Sequence, residues 1–331
     1  MPPTTPTSPT ALTSTTTLDR RTALQLTGAA LIAATAAAPG LARDETPIPL
    51  LTRPIPSTGE RLPVIGLGTN RYNPTTDEER ANRKAVLAGL TAAGAKVIDT
   101  APSYGESERV IGELLAEIGN RDRCFLATKV TARGGTREEG EAMLSASRQR
   151  LRSERIDLIQ VHNLVGTAAL LPLLREEVAA KRIRYLGITT SRDPQYAEFA
   201  QVMSTERLDF VQVDYSIANR GAAERLLPLA ADRGMAVLVN MPFGGPRDGN
   251  LFGKLKDRPL PSWAAELGAA SWGQVLLKYI LGHPAVTCVI PGMTRVVNLQ
   301  DNLGAGRGRL PDAALRQRME QWWDAEFGGA A

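Results

Sequence analysis

Eight short apolar runs recur along the chain, each separated from the next by a longer stretch with helical punctuation, and this alternation restricts the fold more than any other property of the sequence. The strand candidates are 63–69, 96–101, 124–130, 157–162, 184–189, 210–215, 236–241 and 286–291. They are rich in Val, Ile and Leu, the pattern of strands buried on both faces. Helices are expected at 77–94, 107–119, 136–152, 167–182, 193–205, 220–234 and 262–282, with a final one at 312–327. Ser107 stands where it can cap a helix beginning at Glu108, and Thr136 with Glu139 reads as a capping box. Asp193-Pro194 puts proline in a first helical turn, while Gly94, Gly119 and Gly234 stand where helices should stop. The repeat predicts an α/β fold, a closed (β/α)8 TIM barrel. An open doubly wound sheet fits less well, because Gly66-Leu-Gly-Thr-Asn70 is not the G-x-G-x-x-G dinucleotide fingerprint. Ile55 to Leu62 reads as an N-terminal β-hairpin that plugs the bottom of the barrel.

Residues 1–42 are expected to be a leader, leaving 43–331 for the barrel. Residues 2–17 are rich in Pro, Thr and Ser, and Leu18-Asp-Arg-Arg21 precedes an alanine-rich apolar stretch that ends near Pro39-Gly-Leu-Ala42. That order matches a signal peptide, and the paired Arg20-Arg21 resembles a twin-arginine leader, which implies export of a folded protein to the periplasm by the twin-arginine machinery. The alternative is a cytoplasmic protein with a disordered tail. The apolar run is too short and interrupted for a permanent membrane span. The net charge of +4 is scattered, with no basic stripe among aromatics, so nucleic acid is not an expected partner. Cys124 and Cys288, the only two cysteines, lie inside apolar runs and read as core residues. With two histidines and no Cys-x-x-Cys, no metal site is expected.

Three successive strands close on a titratable side chain: Asp99 in Lys96–Ala101, Lys129 in Cys124–Lys129 and His162 in Asp157–His162. Tyr104 follows Asp99 by five residues. Singly, each is the kind of residue that is solvated or structural; together they mark one rim of a parallel barrel, where chemistry is built. Reducing a carbonyl requires a hydride on one side and a proton for the oxygen. A free tyrosine is a poor acid near neutrality, and a neighbouring ammonium favours its ionised form. Tyr104 is therefore the candidate proton donor, Lys129 its tuner, Asp99 the anchor of Lys129, and His162 the group that orients the substrate oxygen. His283, before Pro284, belongs to the opposite rim and reads as structural.

The block Val97-Ile-Asp-Thr-Ala-Pro-Ser-Tyr-Gly-Glu-Ser-Glu108 resembles the aldo-keto reductases, as do Leu62–Thr69, Ala127-Thr-Lys129 and Leu158-Ile-Gln-Val-His162. The resemblance covers roughly residues 48 to 310. It implies a catalytic tetrad of Asp99, Tyr104, Lys129 and His162 that reduces aldehydes or ketones to alcohols. It also implies a nicotinamide dinucleotide, usually NADPH with NADH as the alternative, lying across the C-terminal rim. Gly68, Thr69 and Asn70 would face this cofactor, and Asn163, Thr189, Thr190 and Gln212 would lie near the carboxamide. Asn240 stands where many relatives carry an aromatic that stacks on the nicotinamide; it cannot stack, and Met241 and Phe243 are the contacts implied nearby. Ile290 to Asn302 resembles the adenosine-phosphate clamp, with contacts from Gly292, Met293, Thr294, Asn298, Asp301 and Asn302 and a helix N-terminus facing the anion. Gly292 and Asn298 replace the Lys and Arg of many NADPH-specific relatives, leaving Arg295 as the nearest cation.

A small-molecule carbonyl compound is the expected partner. Its pocket is expected beneath the 243–263 loop, with Tyr72, Leu164, Phe243 and Trp263 as candidate liners and Trp322 and Trp323 as packing residues. Two rival readings keep the barrel. A lysine Schiff-base aldolase centred on Lys129 leaves Asp99, Tyr104 and His162 unexplained. The other is a slow-turnover accessory or sensor barrel that binds NADPH.

Overall fold

A computed structural model describes residues 48–246 and 248–328, and the expected leader, 1–42, lies outside the described residues. Strands β1 (Thr52–Pro54) and β2 (Arg61–Pro63) pair antiparallel, with Arg53 opposite Leu62. Gly59, at φ 76°, supplies the left-handed residue of the connecting turn. Ile55 and Leu62 are fully buried among Phe125, Tyr185 and Phe210, so the hairpin does plug the barrel.

The barrel strands follow in chain order: β3 (Leu67–Gly68), β4 (Val97–Asp99), β5 (Phe125–Val130), β6 (Ile156–Val161), β7 (Ile183–Thr189), β8 (Phe210–Asp214), β9 (Ala236–Asn240) and β10 (Cys288–Val289). Each pairs parallel with its sequence neighbour. Bridges Ile65↔Val289 and Gly68↔Gly292 close the ring. Gly68 is required at that seam, since a Cβ there would lie 2.6 Å from the Ile290 carbonyl oxygen. The expected last strand, 286–291, shortens to Cys288–Val289, and Pro291 offers no N–H to extend the ladder beyond Ile290.

Around the sheet run α1 (Asp77–Ala92), α2 (Ser107–Ile118), α3 (Arg137–Leu151), α4 (Thr167–Ala179), α5 (Tyr196–Thr205), α6 (Ala222–Asp232), α7 (Leu251–Lys254), α8 (Trp272–Leu281), α9 (Val296–Ala305) and α10 (Ala313–Phe327). The expected 262–282 helix is broken. Gly268, at φ 60°, ends a 3-10 turn, and Ser271 caps a new start by accepting from the Gln274 N–H. Helix α7 lies outside the expected set, and α9 was expected only as the helix end of the 290–302 segment. Thr136 caps α3 by accepting from Glu139 N, but the Glu139 carboxylate reaches Gly134 N rather than closing the box. Ser107 does not cap α2 but is its first residue. Its hydroxyl lies within 3.0 Å of the Thr69 carbonyl and of the Thr69 and Thr100 hydroxyls.

Burial on both strand faces yields two cores. The inner one holds Phe125, Tyr185 and Phe210, with ring centroids 5.5 to 5.9 Å apart. The outer one lies between sheet and helices, and each fully buried Leu, Ile or Phe contributes about 1.5–3 kcal/mol of transfer free energy. Cys124 and Cys288 are both free and buried, as expected of core residues. Trp322 stacks on Trp272, and Trp323 is buried against Phe327. Among the described residues no helix is long and apolar enough to cross a membrane.

Candidate active site

Parallel strands deliver all their C-terminal ends to one rim. Asp99 ends β4, Lys129 is the penultimate residue of β5, and His162 directly follows β6. Lys129 Nζ donates to Asp99 Oδ2 at 2.7 Å and to the Thr100 carbonyl at 2.8 Å. Both partners are buried, at 1 % and 2 % exposure, so the pair carries its charges out of water. Burial opposes the Lys129 ammonium, but Asp99 and then Tyr104 overcome that penalty and hold it above the usual lysine value. Burial raises Asp99 above the ordinary carboxylate range, against the pull of Lys129. At His162, burial and then the Lys129 charge press the imidazole down to about 4, so it is neutral near pH 7. A neutral imidazole has one N–H to donate and one nitrogen to accept.

Tyr104 is carried on the turn between β4 and α2. That turn is held by a bond from Tyr104 N to the Ala101 carbonyl, by Gly105 at φ 60° and by Glu106 N donating to Asn73 Oδ1. Behind it, the fully buried Glu108 accepts from Thr128 Oγ1 and from Arg150, tying the first turn of α2 to β5 and α3. The fixed turn sets the Tyr104 ring 5.0 Å from Lys129 Nζ and edge-on to His162, with centroids 6.3 Å apart at 86°. The four sequence-predicted residues thus come together. A cavity of about 340 Å³ opens beside them, lined by Lys129, His162, Asn163, Pro102, Thr131 and Arg133.

Sequence reasoning missed Gln160. It is fully buried and donates from Nε2 to Gln212 Oε1 at 3.1 Å, while Gln212 Nε2 points to Asp99 Oδ2 at 3.4 Å. Gln160 therefore fixes which end of the Gln212 amide faces the tetrad carboxylate. The signal was strand parity: Gln160 lies two residues before His162 and shares its inward face.

The residues implied as cofactor contacts divide into two groups. Asn70 and Gly292 are exposed on the rim, and Gly68, Asn163, Met241, Phe243, Thr294, Asn298 and Asp301 are half-buried there. Asn163 has φ 52°, and its N–H donates to Thr189 Oγ1 at 3.3 Å. The others are withdrawn. Thr69 Oγ1 donates to the Asp99 carbonyl, Thr190 Oγ1 donates to Gln195, and Met293 is fully buried in the outer core. The side chains of these three are engaged inside the protein. Asn302 is buried, and both Asp301 oxygens are engaged, by Ser271 and Gln274 of the α8 start. Phe243 rests on Phe252 at 4.8 Å.

Three expected pocket liners are corrected. Tyr72 and Leu164 belong to the outer core, and Trp263 is buried against Trp322. His283 lies beside the hairpin, where Arg53 donates to its carbonyl at 2.9 Å, away from the tetrad.

A second cavity, of about 630 Å³, lies at the ends of β7, β8 and β9, with Ser191, Asp214, Tyr215, Asn219 and Met241 in its wall. Among the described residues no cluster of three or more His, Cys, Asp or Glu could hold a metal.

A sequence profile described as the aldo/keto reductase family matches residues 64–321. The aldo-keto reductase YhdN of Bacillus subtilis is 31% identical over 219 residues, which cover 61% of this chain and 64% of that relative. The chain thus spans just under two thirds of that relative's length. Methylglyoxal reductase YeaE of Escherichia coli is 27% identical over 259 residues, covering 77% of this chain and 89% of its own. An aldo-keto reductase from Klebsiella pneumoniae, solved with NADP and acetate, has a TM-score of 0.67 at 24% identity, covering 79% of this chain and 93% of its own. The holo form of one from Bacillus halodurans has the same TM-score at 23% identity, covering 82% and 96%. These structures share the fold. With a strand-end tetrad on a closed barrel and a family profile that spans most of its length, the chain belongs to the aldo/keto reductase family.

Proposed function

We propose that the protein reduces aldehyde or ketone carbonyls to alcohols, with NADPH as electron donor and Tyr104 as proton donor. The observation that carries this reading is the convergence of Tyr104, neutral His162 and the buried Lys129–Asp99 pair beside one cavity. The rim also fits a nicotinamide. Asn240 Oδ1 is buried without a partner while its Nδ2 donates to the Thr190 carbonyl at 3.3 Å. Gln212 keeps an amide hydrogen and a lone pair beyond those used by Asp99 and Gln160. A carboxamide needs one acceptor and one donor, and these two side chains offer both. Support for NADPH comes from relatives: the Klebsiella structure holds NADP, and a Schizosaccharomyces pombe relative is named for NADP(+). Arg295 begins α9, and Arg83 donates to the Thr294 carbonyl at 3.0 Å, so positive charge lies along the 290–302 segment.

Bound at the rim, a reduced nicotinamide supplies the hydride. His162 donates its N–H to the substrate oxygen and orients the carbonyl. Tyr104 passes its proton to that oxygen, and the Lys129 ammonium against its ring offsets the negative charge left behind. Asp99 keeps Lys129 in position and charged. The same arrangement disfavours a Schiff-base aldolase, which needs a neutral amine free to attack, whereas Lys129 Nζ is committed to Asp99 and Thr100.

Steady-state oxidation of NADPH and of NADH with a panel of aldehydes and ketones tests the reading. NADPH is expected to be preferred, and Tyr104→Phe to lower kcat by about 100-fold or more. Intact turnover in that variant overturns the proton-donor assignment, and equal use of NADH overturns the cofactor preference.

A further inference from the structure

We propose that the carbonyl compounds reduced here carry a carboxylate at the far end of a short aliphatic chain, and that Arg133 receives it. The inference rests on the reductase reading and concerns the cavity of about 340 Å³ beside the tetrad. That volume falls within the range of small-molecule sites. Its wall holds Lys129 and His162, the apolar side chains of Val130, Met143 and Val165, and Arg133 as the remaining charged residue. Apolar side chains suit methylene groups, with polar groups left to recognise the two ends.

The charges decide what the far end accepts. Lys129 is neutralised by Asp99, and His162 is uncharged near pH 7. No carboxylate is among the described residues that line the cavity. Arg133 makes no ion pair with any described residue, and the nearby Glu139 carboxylate turns back to the Gly134 N–H, at 3.1 and 2.9 Å from its two oxygens. The cavity therefore presents one uncompensated cation.

Arg133 is exposed, and the backbone turn that carries it is held in place. Ala132 is buried, its N–H donates to the Val165 carbonyl at 3.2 Å, and Gly135 N returns to the Ala132 carbonyl at 3.1 Å. Gly166 packs so tightly there that a Cβ would lie 2.7 Å from Ala132. The loop that carries Arg133 is thereby pinned to the loop that carries His162. A guanidinium in that setting offers a planar fork for a carboxylate.

The test uses the full chain and two matched pairs. 4-Oxobutanoate and butanal compare kcat/KM with NADPH, and 4-hydroxybutanoate and butan-1-ol compare binding by calorimetry without turnover. The expected result is a preference of about tenfold for the anion in both assays, reduced to about twofold or less in Arg133→Gln and partly restored in Arg133→Lys. Equal efficiency for both aldehydes, or a preference that survives Arg133→Gln, overturns the inference while leaving the reductase reading intact. If no carbonyl compound of the panel, these two aldehydes included, oxidises NADPH, that reading fails. Tighter binding of 4-hydroxybutanoate, lost in Arg133→Gln, would then still support the anion site.

Discussion

The lower and upper halves of the barrel interior are built from the same strands, two residues apart, yet they obey opposite rules. Val97, Ala127, Leu158, Phe210 and Leu238 form part of an apolar plug with the hairpin. Two residues further along each strand stand Asp99, Lys129, Gln160, Gln212 and Asn240. Because side chains alternate, a step of two keeps the inward direction and changes only depth. The lower layer has nothing to satisfy. The upper layer holds a buried ion pair and two coupled amides, and Asp99 Oδ1, Gln160 Oε1 and Asn240 Oδ1 lack any partner. Leaving such atoms unpaired costs about 1–3 kcal/mol each, a cost the apolar lower layer does not carry.

Substitutions in the two layers separate stability from chemistry. Lys129→Met is expected to have the largest effect. It removes the ammonium beside Tyr104 and strands a buried carboxylate, lowering stability by about 3–5 kcal/mol in urea unfolding and abolishing measurable turnover. Phe210→Ala in the lower layer is expected to cost a similar 3–5 kcal/mol while the folded fraction keeps its kcat. A matching loss of kcat there would break the comparison. Gln160→Leu is a smaller change. It releases the Gln212 amide and removes a donor that favours the Asp99 anion, so Asp99 protonates more readily. The acid limb of kcat/KM should move to higher pH, with KM for the cofactor rising several-fold; a limb that stays in place would reduce Gln160 to packing.

The smallest effect contrasts the two rims. Burial holds both His162 and His283 at about 4 in the folded state, below the unfolded value of about 6.5. Between those values the unfolded chain binds more protons, so stability is fully present above about pH 6.5 and is lost as pH falls toward 4. Thermal midpoints from pH 7 to 4.5 should drop, and His162→Gln or His283→Gln should each flatten part of the slope. Only the former should also change turnover.

The alternation of strands and helices was legible because double-faced burial writes each strand as an unbroken apolar run, as in Phe210-Val-Gln-Val-Asp214. The tetrad was legible because charged residues interrupt such runs only at their ends. Gln160 was hidden inside Leu158-Ile-Gln-Val161, where one amide reads as noise until its parity with His162 is counted. Tyr72, Leu164 and Trp263 misled for the opposite reason. Large apolar residues in loop-like sequence suggest a pocket wall, yet here they fill the space between sheet and helices. Ser107 misled because a hydroxyl before Glu resembles a cap, whereas tertiary partners on Thr69 and Thr100 claimed it. Helix α9 was legible only as the helix end implied by the clamp resemblance, although Val296, Leu299 and Leu303 carry helical spacing.

The seam between β3 and β10 gives the barrel a particular vulnerability. Its first and last strands meet through isolated bridges at Ile65 and Gly68, and are far apart in sequence, while every other junction joins chain neighbours. Local opening of the ring should begin at this join. Any molecule that rests on Gly68 and Gly292 together would act as a staple across it, protecting the amides of β3 and β10 from hydrogen exchange before those of the remaining strands.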